Sequence, residues 1–284
     1  MLDTSISNYA AKAKEKSHFI RDGRGTKTSH PSATVPQQNL QRAITPDSRI
    51  PILDSQITNP ESRLPIPDTI MKTKERYEKA LAWFEENMPI AESELHFENE
   101  YQLLVAVMLS AQCTDKRVNM VTPALFAAYP TVCALSQATT AEVYSYIKSV
   151  SYPNSKAEHL VQMAKRVVEV YDGHIPDTRE ELQTLAGVGR KTANVVLAVW
   201  WNQPTMAVDT HIFRVAERIG LTTKAKNPLD SEQQLIKYIP ESVIPKAHHW
   251  LLLHGRYTCQ ARTPKCANCG LLEICRYGLA HTSR

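Results

Sequence analysis

The sequence predicts an all-α protein, and three observations support that prediction. Apolar residues recur at helical spacing, as in Tyr77, Leu81, Phe84 and Met88, which would form one stripe along a helix. Residues 101–109 are nearly all apolar, as in a helix buried inside a bundle. Ser or Thr followed three residues later by Glu, a pattern typical of helix starts, occurs three times. These pairs are Thr139 with Glu142, Ser155 with Glu158, and Thr178 with Glu181.

The composition of the chain limits the classes of protein to which it can belong. With 284 residues, 43% of them hydrophobic, it can bury the core of one or two domains. It has no run of 18 apolar residues, which argues against a membrane span, and no apolar segment typical of a secretory signal. The net charge is only +4, so affinity for nucleic acid must come from local clustering. Basic residues cluster near the end of the chain, at Arg256, Arg262, Lys265, Arg276 and Arg284.

Residues 1–70 differ from the rest of the chain. They contain seven of its seventeen prolines and only two aromatic residues, Tyr9 and Phe19. Such a segment buries too little apolar surface to offset the entropy lost on ordering, so we expect a disordered extension. Met71 opens a helical sequence and is a plausible alternative start of the protein.

A glycine-rich turn in residues 185–209 is the strongest local motif. Gly187 and Gly189 lead into Arg190 and Lys191 and then into an apolar run. This order predicts a short helix, a tight hairpin and a second helix that begins at about Gly189. Amide groups at such a turn and helix start form a pocket for an anion such as a phosphate.

Lys191 and Asp209 are the candidate chemical groups of this motif. A cation in the first turn of a helix is electrostatically unfavourable, which leaves three interpretations of Lys191. It could pair with a bound phosphate, act as an amine nucleophile, or be a solvated surface lysine. Asp209 directly precedes a helical segment and is expected to cap it, a role compatible with that of a catalytic carboxylate.

Four cysteines near the end of the chain form a second motif, C-x6-C-x2-C-x5-C. Disulfides are improbable in a chain without secretion features, whereas four thiolates at short spacing suit zinc or an iron–sulfur cluster. The spacing alone does not choose between these two. The motif consists of Cys259, Cys266, Cys269 and Cys275. The other two cysteines, Cys113 and Cys133, are expected to be small core residues.

Several separated segments resemble one family. LAGVGRKTANVV followed by VDTHIFRVAERIGL is similar to the helix-hairpin-helix and Gly/Pro-Asp segment of DNA glycosylases of the endonuclease III family. The likeness runs from residue 71 to the C-terminus and includes LLVAVMLSAQCTD, YPNSKAEHL, HHWLLLHGRYTC and the final cysteines. One departure is Ala186, where the family usually has proline.

The resemblance implies two helical lobes with the active-site cleft between them. Residues 93–203 would form a six-helix barrel lobe, with the helix-hairpin-helix at about residues 178–201. Residues 71–92 and 204–284 would form the lobe that holds the iron–sulfur cluster. Residues 1–70 would lie outside both lobes.

The resemblance also implies a role for each candidate residue. Lys191 would be the nucleophile and Asp209 the carboxylate that assists it. The four clustered cysteines would hold a structural 4Fe–4S cluster. Gln112 would fill the space left by an extruded base, and Tyr152 would wedge the opposite strand, where the family often carries leucine. The remaining DNA contacts would be Gly187, Gly189, Arg190, Arg262 and Lys265.

The implied activity is that of a bifunctional DNA glycosylase and AP lyase of base excision repair. It would remove oxidised pyrimidines through a lysine Schiff base and cleave the strand 3′ to the abasic site. The partner would be duplex DNA that carries such lesions or abasic sites. The protein would bind this DNA as a monomer and would not associate with a membrane. We expect it in the cytoplasm near the nucleoid of a bacterium, or in the nucleus or an organelle of a eukaryote. The alternatives are a monofunctional adenine or mismatch glycosylase, a non-enzymatic DNA-binding iron–sulfur protein, and a zinc-bound structural protein.

Overall fold

A computed structural model of the chain describes residues 71–282. Within this range the secondary structure is helical, with no strand, so the prediction of an all-α fold is confirmed. The expected disorder of residues 1–70 lies outside the described residues. The α-helices are α1 (Thr73–Asn87), α2 (Glu100–Ser110), α3 (Asp115–Ala128), α4 (Val132–Ser136), α5 (Thr140–Ile147), α6 (Pro153–Tyr171), α7 (Arg179–Leu182), α8 (Arg190–Trp201), α9 (Thr210–Ile219), α10 (Pro228–Tyr238), α11 (Ile244–Tyr257) and α12 (Arg276–Thr282). Short 3-10 turns occupy Glu241–Val243, Cys266–Asn268 and Leu272–Ile274.

The predicted helix starts are partly confirmed. Thr139 and Glu142 form a complete capping box at α5, with each side chain satisfying an amide of the other residue. The Thr178 hydroxyl caps α7 by accepting a hydrogen bond from the amide of Glu181. The start predicted at Ser155 was wrong, because α6 begins two residues earlier, at Pro153. Proline suits the first helical position because its φ is already helical and its missing N–H would have no partner there.

One hydrophobic core is built around α2, as its uniformly apolar sequence predicts. Leu103 and Leu104 are completely buried, and side chains of α3 to α8 surround them. Cys113 is half-buried and packs against this core. Cys133 is exposed, so its prediction as a core residue was wrong. It lies on α4, where Val132 and Leu135 are the hydrophobic residues buried in the core.

A second hydrophobic core joins α1 to the helices that follow α8. Tyr77 and Phe84 of the predicted stripe are fully buried in it. Phe84 stacks on Trp250 of α11 with ring centroids 5.7 Å apart, and the Trp250 indole donates a hydrogen bond to Met88. The chain therefore contributes its first and last described helices to one core and its middle helices to the other. The lobe boundaries at residues 92–93 and 203–204 stay a prediction.

Arg256 connects the two cores. Its guanidinium donates to carboxylate oxygens of Glu94 and Asp115, and the hydroxyl of neighbouring Tyr257 also donates to Glu94. Because two carboxylates already compensate its charge, a phosphate contact by Arg256 would have to be shared with them, and it stays a prediction.

Across residues 71–282, no helix has the length and apolar character needed to cross a membrane.

Candidate active site

The hairpin between α7 and α8 requires glycine at its first position. Gly187 has φ +76°, and a Cβ there would lie 2.9 Å from Cβ of His159, so any side chain would be strained and crowded. Gly189 is the N-cap of α8 and offers no side chain to its first amides. Those amides, together with the positive end of the helix dipole, can receive an anion.

Arg190 and Lys191 occupy the first turn of α8, where the sequence predicted them. Lys191 is exposed. The guanidinium of Arg190 donates to both carboxylate oxygens of Glu232 on α10, at 2.6 and 3.1 Å. This hydrogen-bonded pairing raises the pKa of Arg190 above its ordinary value. Because Glu232 already binds Arg190, a DNA contact by Arg190 would have to be shared with that carboxylate, and it stays a prediction.

Asp209 caps α9, as the sequence predicted. Its Oδ1 accepts hydrogen bonds from the amides of His211 at 2.9 Å and Ile212 at 2.8 Å. The residue is half-buried, so its carboxylate is held in a fixed orientation by the helix that it caps.

Asn194 ties the segment before Asp209 to α8, a link that sequence reasoning missed. Its side chain is completely buried and accepts a hydrogen bond from Arg179 Nε at 2.8 Å. Its Nδ2 donates to the carbonyl of Met206 at 3.0 Å. Thr205 donates to the carbonyl of Asn194 at 2.7 Å. A polar residue three positions after Lys191, within an apolar run, was the only signal of this role in the sequence.

His248 and His249 of α11 form a buried pair near Lys191. Their rings lie 5.0 Å apart, and both are less than a tenth exposed. Burial, His249 and then Lys191 lower the pKa of His248 well below its ordinary value. Each ring has a buried Nδ1 atom. That atom has no partner in either ring among the described residues.

Gln112 and Tyr152 both protrude from the protein at the ends of helices. Gln112 is exposed in the turn after α2, and Tyr152, 64% exposed, directly precedes α6. Both have left-handed backbone conformations, with φ of 53° and 54°. Residues other than glycine occupy this region at a cost, and such sites are common where function demands a particular orientation.

The four clustered cysteines line one cavity between α11, the two last 3-10 turns and α12. None forms a disulfide. No three His, Cys, Asp or Glu side chains within residues 71–282 are arranged to hold a metal ion as they stand. All four cysteines border this one cavity.

Hydrogen-bond donors point at the cysteine sulfurs. The amide of Gly278 donates to Cys275 Sγ at 3.3 Å, and Arg218 Nη1 lies 3.6 Å from Cys259 Sγ. Burial raises the pKa of the Cys269 and Cys275 thiols, which disfavours bare thiolates. The positive charge of bound iron would offset that penalty, because metal ligation requires the deprotonated thiol. The donor set thus fits an iron–sulfur cluster.

The basic residues beside this cavity have different surroundings. Arg262 and Lys265 are exposed on the cysteine loop and are free to meet a phosphate. Arg276 packs under Gly220, where a Cβ would lie 2.6 Å from its Cδ. Arg284 lies outside the described residues.

Comparison with known proteins agrees with this geometry. The family model of the HhH-GPD superfamily of base excision DNA repair proteins matches residues 105–241. Endonuclease III of Rickettsia felis is 46% identical over 194 residues, which are 68% of this chain and 91% of that protein. Endonuclease III of Escherichia coli K12 is 44% identical over 192 residues, 68% of this chain and 90% of that protein.

Solved structures extend the agreement to the fold. A trapped endonuclease III–DNA covalent intermediate has a TM-score of 0.71 and 39% identity over 75% of this chain and all of the other. A thermostable thymine-DNA glycosylase has a TM-score of 0.65 but 21% identity, and shares the fold. The fold and the matched sequence define a helix-hairpin-helix DNA glycosylase of base excision repair. Within that class, the chain belongs to the endonuclease III family, which confirms the resemblance found in the sequence.

Proposed function

We propose that this protein is a bifunctional DNA glycosylase and AP lyase that removes oxidised pyrimidines from duplex DNA. The observation that carries the proposal is the position of Lys191, exposed in the first turn of the helix that follows the glycine hairpin. Asn194, one turn further along, holds the segment that leads to Asp209. Schiff-base chemistry requires an amine nucleophile, and a nearby carboxylate can accept the proton that the amine loses.

In the proposed reaction, the uncharged amine of Lys191 attacks the anomeric carbon of the deoxyribose. A carbon–nitrogen bond forms, and the bond to the damaged base breaks, with the base leaving as an anion that takes up a proton. The sugar ring then opens to give a Schiff base. Loss of a proton from the adjacent sugar carbon expels the 3′ phosphate, which cleaves the strand, and water releases the lysine.

Asp209 has one of two roles in this scheme. It accepts the proton that Lys191 loses before attack, or it stabilises positive charge on the sugar as the base departs. The two amides that bind its Oδ1 support both, because they fix the position of the carboxylate.

DNA would be held by the hairpin and the cysteine loop. The amides after Gly187 and Gly189 would take one phosphate, and Arg262 and Lys265 another. Cys259, Cys266, Cys269 and Cys275 would hold a 4Fe–4S cluster, whose role here is to fix this loop. Gln112 and Tyr152 would enter the duplex when the damaged base is extruded, because an enzyme acting on a base must take it out of the stack.

Borohydride trapping tests the central step. Reduction of a Schiff base links enzyme and DNA covalently, so the protein should cross-link to a duplex that carries an oxidised pyrimidine. Lys191→Gln should abolish the cross-link and retain DNA binding. Lys165→Gln, at an exposed lysine of α6, is the matched control and should cross-link normally. Cross-linking by Lys191→Gln would show that another amine is the nucleophile.

Metal analysis tests the cofactor. Purified protein should be yellow-brown and contain iron in the ratio expected for one 4Fe–4S cluster per chain. Zinc without iron would contradict the proposal.

A further inference from the structure

The loops that carry Gln112 and Tyr152 are bonded directly to each other. Ser151 Oγ donates a hydrogen bond of 2.6 Å to the carbonyl oxygen of Gln112. Ser151 immediately precedes Tyr152, so one side chain connects two residues that are distant in sequence. The orientation of each protruding side chain therefore depends on the other loop.

A buried lysine adds a second connection between the same loops. Lys156, in the first turn of α6, is only 8% exposed. Its Nζ donates to the carbonyl oxygens of Leu109 at 2.8 Å and Ala111 at 2.6 Å. These oxygens lie at the C-terminal end of α2, where carbonyls lack helical partners and a positive charge is favourable.

The position of this ammonium is unusual in energetic terms. Burying a lysine ammonium costs free energy. Here the ammonium binds two carbonyl oxygens close to Gln112, whose backbone conformation is left-handed. The left-handed backbone conformations of Gln112 and Tyr152 cost free energy and persist only where neighbouring bonds enforce them. Ser151 and Lys156 supply those bonds.

We propose that Ser151 and Lys156 are positioning residues that hold Gln112 and Tyr152 as one preformed unit for insertion into the duplex. This inference rests on the insertion roles given to Gln112 and Tyr152 under the proposed function. Because the unit is already ordered before binding, less conformational entropy is lost when it enters the duplex. More of the free energy of its contacts with DNA is then available to unstack the base. Neither residue touches the reacting sugar.

The inference separates two activities of the protein. Extrusion of a base from duplex DNA requires the unit, because the vacated space must be filled. Schiff-base formation on a single-stranded oligonucleotide with an abasic site does not require it, because no stack has to be opened. Variants of the unit should therefore fail on the first substrate and work on the second.

The test uses the whole chain with its cluster and four variants. Ser151→Ala removes only the hydroxyl, and Ser151→Thr restores it. Lys156→Met keeps the length of the side chain and removes its donors. Lys165→Met, on the same helix but exposed, is the matched control.

Two measurements are made on each variant. The first uses duplex DNA in which 2-aminopurine stands beside an uncleavable abasic analogue. The fluorescence of 2-aminopurine rises when the base is unstacked, and it is measured at saturating protein. The second is the rate of borohydride trapping on the single-stranded abasic oligonucleotide. We expect Ser151→Ala and Lys156→Met to lose most of the fluorescence increase. Trapping on the single strand should stay within roughly twofold of the wild type. Ser151→Thr and Lys165→Met should match the wild type in both.

Two outcomes would overturn the inference. One is an unchanged fluorescence increase in both Ser151→Ala and Lys156→Met. The other is an equal fall of both readouts in Ser151→Ala without rescue by Ser151→Thr, which would indicate general damage. A wild type that never traps DNA would contradict the proposed lyase step instead, and the fluorescence comparison would still decide this inference.

Discussion

Asn194 Nδ2 donates a hydrogen bond to the carbonyl oxygen of Met206 at 3.0 Å, joining the helix that carries Lys191 in its first turn to the segment that ends at Asp209. The other end of the same amide accepts from Arg179 of the preceding helix. A single buried side chain thus connects both helices of the hairpin with the segment that leads to Asp209.

Replacement of Asn194 should reduce both stability and activity. Asn194→Ala leaves the Met206 carbonyl without its partner and creates a cavity, so we expect a loss of about 2–3 kcal/mol in the free energy of unfolding. The excision rate should fall further than the folded fraction explains, because Asp209 loses an anchor. Denaturant unfolding and single-turnover kinetics measure the two effects. Gln203→Ala removes a bond from the same segment to the Asp177 carbonyl at the surface, and as a control should cost roughly 0.5 kcal/mol or less.

Substitution can separate the capping of α9 by Asp209 from the role of its charge in the proposed reaction. Asp209→Asn keeps an oxygen that can cap α9, so unfolding should change by about 0.5 kcal/mol or less, while the lost charge should strongly slow the reaction. Asp209→Ala removes the cap as well and should cost about 1 kcal/mol of stability. Thermal unfolding and trapping rates measure both. If Asp209→Asn retained wild-type rates, the carboxylate would be a cap alone.

The contact of Arg256 with Glu94 and Asp115 should contribute to the stability of the junction between the two cores. Arg256→Met leaves Asp115 and Glu94 without their cation in a site where the arginine side chain is 27% exposed, so we expect a loss of roughly 1–3 kcal/mol. Combining it with Asp115→Asn should cost less than the sum of the two single changes. Denaturant unfolding measures each variant.

A surface ion pair gives the control for that experiment. Lys246 lies 2.7 Å from Glu85, whose side chain is 60% exposed, so Lys246→Met should cost about 0.5 kcal/mol or less. Equal losses in Arg256→Met and Lys246→Met would mean that the junction contact contributes no more than an ordinary surface pair.

Acid should destabilise the protein through its buried histidines. Burial lowers the pKa of His249 from 6.5 to about 4, so the unfolded chain binds a proton in the interval between these values and the folded protein does not. The contribution of His249 to the free energy of unfolding is fully present above pH 6.5 and decreases as the pH falls toward 4. Between pH 7.5 and pH 5 the loss should be about 2 kcal/mol.

The variant His249→Gln, which cannot take up the proton, should show a smaller decrease over that range. Urea midpoints at the two pH values measure the difference, and the protein should be checked for retained iron at each. A variant with the same decrease as the wild type would show that His249 is not the group that titrates. His159, half-buried beside the hairpin, provides a control position.

Several features could be predicted from the sequence because they depend on neighbours in the chain. The Asp209 cap, the Thr139 capping box and the hairpin at Gly187 all arise from contacts within a few residues. Helical spacing of apolar residues gave the all-α class for the same reason. The start predicted at Ser155 failed because Pro153 provided a competing local signal at the first position of the helix.

Tertiary structure alone decided which charged and polar groups are already paired. Arg256 reaches Glu94 and Asp115 far back in the chain, Arg190 binds Glu232, and Lys156 serves the end of α2. No spacing rule connects such pairs, because chain folding brings them together and burial makes the pairing necessary. The sequence by itself therefore determined the helices, the family and the candidate chemical groups. The three-dimensional arrangement determined which basic side chains already have a carboxylate or carbonyl partner within the fold, because burial of a charge requires such a partner.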